Sequence, residues 1–131
     1  MFFDNATFVE VILHGLLKKF LNIIQNPKTP LDYKITKGFL RGIAAAEGCV
    51  TLNRFKSLTC ISLSFDPYSE ELSLYYKILN SVKIIPSQVH NNELTIHNIS
   101  NFKIMNKIDL FKLHKTKKDK FSLGYKNHKF S

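Results

Sequence analysis

Glu47 sits where a helix least tolerates it. Residues 39–50 read F-L-R-G-I-A-A-A-E-G-C-V, the end of an apolar helix. An anion on the last turn opposes the helix macrodipole at a cost of about 0.3–1 kcal/mol. Gly48 follows directly and reads as the left-handed stop of that helix. Gly38, Gly42 and Ala46 stand four apart and so share one face. Each glycine costs about 1 kcal/mol relative to alanine. Such a stripe lets a second backbone approach closely. Two unfavourable choices in one turn suggest that the carboxylate has a job.

The other reactive side chains form no comparable constellation. Cys49 and Cys60 are the only cysteines, too few for a disulfide framework or a four-cysteine zinc site, and read as free thiols. His90 and His97 lie on a hairpin rather than one turn apart on a helix. Glu70 and Glu71 read as compensation of a helix N-terminus.

The elements that must position Glu47 follow from periodicity. Phe8, Val9, Ile12, Leu16, Phe20, Ile23 and Ile24 recur at helical spacing, and residues 26–30 (N-P-K-T-P) end that helix. Thr36 is the expected cap of the next helix, which runs to Gly48. Val50 and Leu52, then Ile61, Leu63 and Phe65, alternate with polar residues as a hairpin. Asp66-Pro67 closes it, and a helix starts near Ser69 with Leu72, Tyr75, Tyr76, Ile78, Leu79 and Val82 on its apolar face. A second hairpin turns at Asn91-Asn92, and a helix spans about 100–113. The last twenty residues read as a lysine-rich tail.

This order predicts an α+β fold: an αββαββα core with an antiparallel four-stranded saddle sheet and helices on one face, preceded by an extra N-terminal helix. Residues 1–36 form the leading helix and linker, and 37–131 the main domain with its basic tail. The free face of the sheet would carry Thr51, Asn53, Ser62, Ser64, Gln88, His90, Thr95 and His97, a polar set without acids.

Nineteen Lys+Arg against ten Asp+Glu give a formal net charge of +9. That excess favours polyanions, nucleic acid ahead of an anionic membrane surface. The run at 8–24 is broken by Glu10, His14, Lys18 and Lys19, which excludes a membrane span. No basic stretch precedes an apolar run as in a signal peptide. An intracellular protein without membrane association is expected.

Residues 40–48 resemble, without a gap, the signature of the LAGLIDADG homing endonucleases. Leu40, Gly42, Ala46 and Gly48 are identical to it; Ile43 and Glu47 are conservative replacements, while Arg41, Ala44 and Ala45 depart. The element order downstream continues the likeness to about Phe121. The resemblance implies a site-specific endonuclease for double-stranded DNA that uses Mg²⁺, with Mn²⁺ as the alternative. With one motif it implies a homodimer joined through Gly38, Gly42 and Ala46, and a near-palindromic target. Glu47 and Gly48 would hold metal, Lys115 (Lys117 second) would supply the basic group near the phosphate, and Asp66 would orient water. The polar sheet residues and Lys117 would contact DNA. Two further readings stay open: a binding relative without nuclease activity, such as an RNA maturase or a DNA-binding regulator, and one half of a two-motif enzyme.

Overall fold

A helix begins where a side chain can satisfy its first N–H groups, and Thr29 does so. The computed structural model describes residues 15, 16 and 18–129. In it, helix α2 (Pro30–Glu47) is capped by a reciprocal pair. Thr29 Oγ1 accepts from Asp32 N at 3.1 Å, while Asp32 Oδ2 accepts from Thr29 N at 3.2 Å and Lys28 N at 3.0 Å. Pro30, with no N–H to orphan, starts the helix. The expected cap at Thr36 is therefore corrected: Thr36 is buried mid-helix and donates its hydroxyl to Asp32 O at 2.9 Å. The 36/37 position lies inside this continuous helix. Thr29→Ala should cost about 1 kcal/mol of unfolding free energy, measured in urea.

Helix α1 covers 18–25 (residues 15 and 16 are also helical) and ends at the Asn26-Pro27 stop. Phe8, Val9 and Ile12 lie outside the described residues. Of the expected apolar face, Ile24 is buried, but Leu16 and Phe20 are exposed.

The rest of the chain runs β1 (Gly48–Leu52), β2 (Leu58–Ser64), α3 (Glu71–Ser81), β3 (Gln88–His90), β4 (Glu93–Ile96), α4 (Ile99–Lys107) and α5 (Lys115–Lys129). The strands form one antiparallel sheet in the order β1-β2-β4-β3. Asn91 and Asn92 take φ of 49° and 62°, the left-handed pair that a tight hairpin turn requires. Val50, Ile61 and Ile96 align across the sheet, as do Leu63 and Leu94. This apolar face packs on Leu40 and Ala44 of α2, Ile78 and Leu79 of α3, and Phe102 and Met105 of α4. The fold is α+β.

Two expected elements differ. Helix α4 stops at Lys107, and Asp109 takes φ 52°. Arg41 Nε and Nη2 then donate to the freed carbonyl of Ile108 at 3.0 and 2.7 Å. The lysine-rich tail is helix α5, so the order after α1 is αββαββαα. Phe121 and Gly124 are buried, while Tyr125 is half-buried. The Phe121 ring stacks on Tyr125 at 5.9 Å and meets Phe111 at 5.6 Å. His128 lies edge-on to Phe102 and 3.1 Å from Leu58 O through Nδ1. Lys115, Lys118, Lys120 and Lys126 are exposed and form the solvated side of an amphipathic helix. Among the described residues, no helix is long and apolar enough to cross a membrane.

Candidate active site at the end of helix α2

Helix α2 passes directly into β1, so its last residue is held between a helix end and a sheet corner. Gly48 takes φ −79° and ψ 146°, ordinary extended backbone. This corrects the expected left-handed stop: no glycine among the described residues has positive φ. Gly48 is needed for room, since a Cβ there would run into Ala44 O and lie 3.0 Å from the Phe111 ring.

Glu47 is exposed and makes no hydrogen bond or ion pair with another described residue. The helix end beside it is neutralised from far along the chain. Lys117 Nζ donates to Ala45 O at 2.7 Å and reaches Ala44 O at 3.5 Å. An ammonium on the terminal carbonyls offsets the partial negative charge there, easing the conflict that Glu47 creates. Lys115, the residue expected to be basic partner of the site, is exposed at the first position of α5. Lys117, ranked second on sequence, is the lysine that reaches the end of α2.

Tyr75 lies below this corner and donates its hydroxyl to Ser64 O at 2.9 Å. Burial, then Glu71, then Glu47 push its pKa up to about 12, so it stays a donor. Asp66 is held otherwise than expected. Its Oδ1 accepts from Tyr68 N at 3.0 Å, and its backbone N donates to Glu71 Oε2 at 2.8 Å, so the side chain closes a turn.

The register sets the residues of the outer sheet face in rows. Cys49, Ser62, Thr95 and Gln88 form one row; Ser64, Glu93 and His90 form another. Thr51 stands opposite Cys60, and His97 follows the end of β4 with its Nδ1 3.3 Å from Thr59 O. Thr51, Gln88, His90 and His97 are exposed, and Ser64 and Thr95 half-buried. Ser62 differs from expectation: on the inner strand β2 it is only 5 % exposed. Asn53 also differs, because its Oδ1 accepts from Phe55 N at 2.8 Å and Ser57 N at 3.0 Å and shapes the β1–β2 turn. The face is not free of acids either, since Glu93 lies between Ser64 and His90. Both cysteines are free thiols, Cys49 exposed.

The tip of the β1–β2 hairpin corrects a default expectation from the sequence, that Phe55 is an ordinary partly buried aromatic. Phe55 is 70 % exposed, and Arg54 Cζ lies 4.7 Å from the centre of its ring. Lys56 follows at φ 62°. An exposed ring flanked by two cations between two predicted strands was the available signal.

Among the described residues, no three His, Cys, Asp or Glu side chains come together to hold a metal ion. Glu47 is an accessible carboxylate at this corner. That donor fits Mg²⁺ only as part of a shared site, because Mg²⁺ is commonly held by one or two carboxylates with water and substrate phosphate. Gly38 and Gly42, earlier on the same helix, are exposed, and a Cβ on either would meet nothing within 4 Å. The chain matches no protein-family model, no curated protein and no solved structure.

Proposed function

We propose that this chain is an Mg²⁺-dependent endonuclease for double-stranded DNA, of the LAGLIDADG homing type, that works as a homodimer. The observation that carries the reading is the end of α2: an accessible Glu47 beside the Lys117 ammonium, on a helix whose Gly38–Gly42–Ala46 stripe nothing else in the described chain covers. The likeness at 40–48 and the net charge of +9 support it.

In this reading two α2 helices pack along their small residues and bring two Glu47 carboxylates together. Two such anions repel, and a divalent cation between them removes that penalty. Glu47, with the Gly48 backbone, would hold Mg²⁺, which supplies Lewis-acid activation of water and charge neutralisation at the phosphate. Lys117 holds positive charge at the same corner, where the phosphate backbone is to lie. Thr51, Gln88, His90, Thr95 and His97 hydrogen-bond base edges or phosphates from the outer face, and Arg54 and Phe55 extend that face at the hairpin tip.

A binding relative without nuclease activity is the second reading. The observation favouring it is Asp66, whose carboxylate closes a turn.

The experiment is selection of Mg²⁺-cleaved sites from a randomised duplex library, with the solution mass measured alongside. A cleaved near-palindrome and a dimeric mass support the proposal. Gly42→Leu should leave the fold intact, since its Cβ has open space, yet give a monomer with cleavage reduced at least ~100-fold. Cleavage by a strict monomer overturns the dimer, and tight duplex binding without nicking selects the binding relative.

A further inference from the structure

A groove of about 320 Å³ opens between the first half of α2 and the carboxy ends of α3 and α4. Val82, Ile104 and Ile108 give it an apolar lining, Tyr33 stands beside them 47 % exposed, and Ser81 with Lys37, Lys83 and Lys107 completes it. No sheet residue lines it. Tyr33 and Glu47 lie at opposite ends of α2, roughly 21 Å apart by helical rise. Tyr33 is also turned about 140° from Gly38 around the helix, so a partner on the small stripe leaves the groove open.

Lysines at helix carboxy ends are ordinarily explained by the macrodipole, and here that explanation falls short. Two helix ends carry roughly half a negative charge each. The Arg41 guanidinium already occupies Ile108 O. The three ammonium groups leave a surplus of about two positive charges. No acid lines the groove, and none of the three lysines forms an ion pair with another described residue. Lys34 and Lys103, both exposed, continue the lysine rows of α2 and α4 away from it. An exposed aromatic side chain beside aliphatic ones, with three unneutralised lysines, matches a flat apolar group carried on a polyanion. The volume is near the lower limit of small-ligand sites, enough for one base and too little for a duplex.

We propose that this groove binds an unpaired nucleotide of a single-stranded nucleic acid, its base stacked on Tyr33 and its flanking phosphates along Lys37, Lys83 and Lys107. A base inside a duplex cannot reach the ring, so the site selects single strands. Stacking on one aromatic side chain is sequence-tolerant, and lysine–phosphate pairing makes binding salt-dependent.

The test is fluorescence anisotropy of a labelled 15-nucleotide oligouridine with the full chain at several salt concentrations. Tyr33→Ala should weaken binding about tenfold, while Tyr33→Phe retains it. Lys37→Gln, Lys83→Gln and Lys107→Gln together should lower the salt slope by about 2. Affinity for a duplex of equal length should change less than twofold in Tyr33→Ala. Single-strand affinity indifferent to Tyr33 overturns the proposal; so does displacement by polyglutamate, which identifies an acidic peptide site, or by AMP at equal nucleotide concentration, which identifies a mononucleotide site. Unfolding curves of Tyr33→Phe and Tyr33→Ala that coincide exclude a folding artefact. The assay needs neither cleavage nor dimerisation, so its failure leaves the nuclease proposal standing.

Discussion

Glu47→Gln should abolish Mg²⁺-dependent cleavage, by at least ~10³-fold or roughly 4 kcal/mol of transition-state stabilisation, while duplex affinity stays within about threefold. The carboxylate is exposed and makes no hydrogen bond or ion pair with another described residue, so the amide should leave the surrounding structure intact. It removes the anionic ligand that the proposed shared metal needs, in both copies at once. Folding stability should move the other way. Removing an anion from a helix carboxy end relieves about 0.3–1 kcal/mol, somewhat less here because Lys117 already neutralises the terminal carbonyls. A variant that is slightly more stable and inactive is the signature of a residue kept for chemistry at the expense of folding. Single-turnover cleavage and urea unfolding measure the two quantities. Undiminished cleavage overturns the metal assignment, and a stability loss above about 1 kcal/mol overturns the account of Glu47 as unsupported by the fold.

The sequence showed most of the scaffold around that acid and less of the site. Period-two alternation located the core strands, and Asn91-Asn92 marked its hairpin because asparagine tolerates positive φ. Thr36 failed as a cap because local pattern cannot choose between two threonines without the reciprocal Asp32 contact that Thr29 makes. The tail was read by its charge. Phe121, Gly124, Tyr125 and His128 at helical spacing were the contrary signal, hidden because all of the first six residues of α5 are polar lysine, threonine or aspartate. The shift of emphasis from Lys115 to Lys117 has the same origin. An ammonium meets carbonyls 72 and 73 positions earlier in the chain, a contact set by tertiary packing alone. Ser62 and Asn53 alternate correctly, yet one lies on an inner strand and the other spends its side-chain oxygen on a turn.

Gly48→Ala should be among the most destabilising single-methyl additions this chain can suffer, at about 3 kcal/mol. That is the upper range for overpacking and a large share of ordinary domain stability. The backbone conformation is not the reason, because φ −79° and ψ 146° suit any residue. The added Cβ instead runs into Ala44 O and comes to 3.0 Å from the Phe111 ring. Neither neighbour can yield cheaply. Ala44 O already accepts the Gly48 N–H and lies within reach of Lys117 Nζ, so moving it undoes the last turn of α2. Phe111 is 1 % exposed and pressed against Phe121, so moving it disturbs the packing of α5. Gly42→Ala is the control: the same methyl meets nothing within 4 Å and should stabilise the monomer by about 0.5–1 kcal/mol through helix propensity. Urea unfolding of the pair therefore separates close packing from conformational freedom. Equal stabilities, or a Gly48→Ala variant near wild type, would contradict the junction as described. If the opposite signs are found, the glycine after Glu47 is a spacer: it lets α2, β1 and α5 converge closely enough for a lysine on the last helix to neutralise the end that carries the acid.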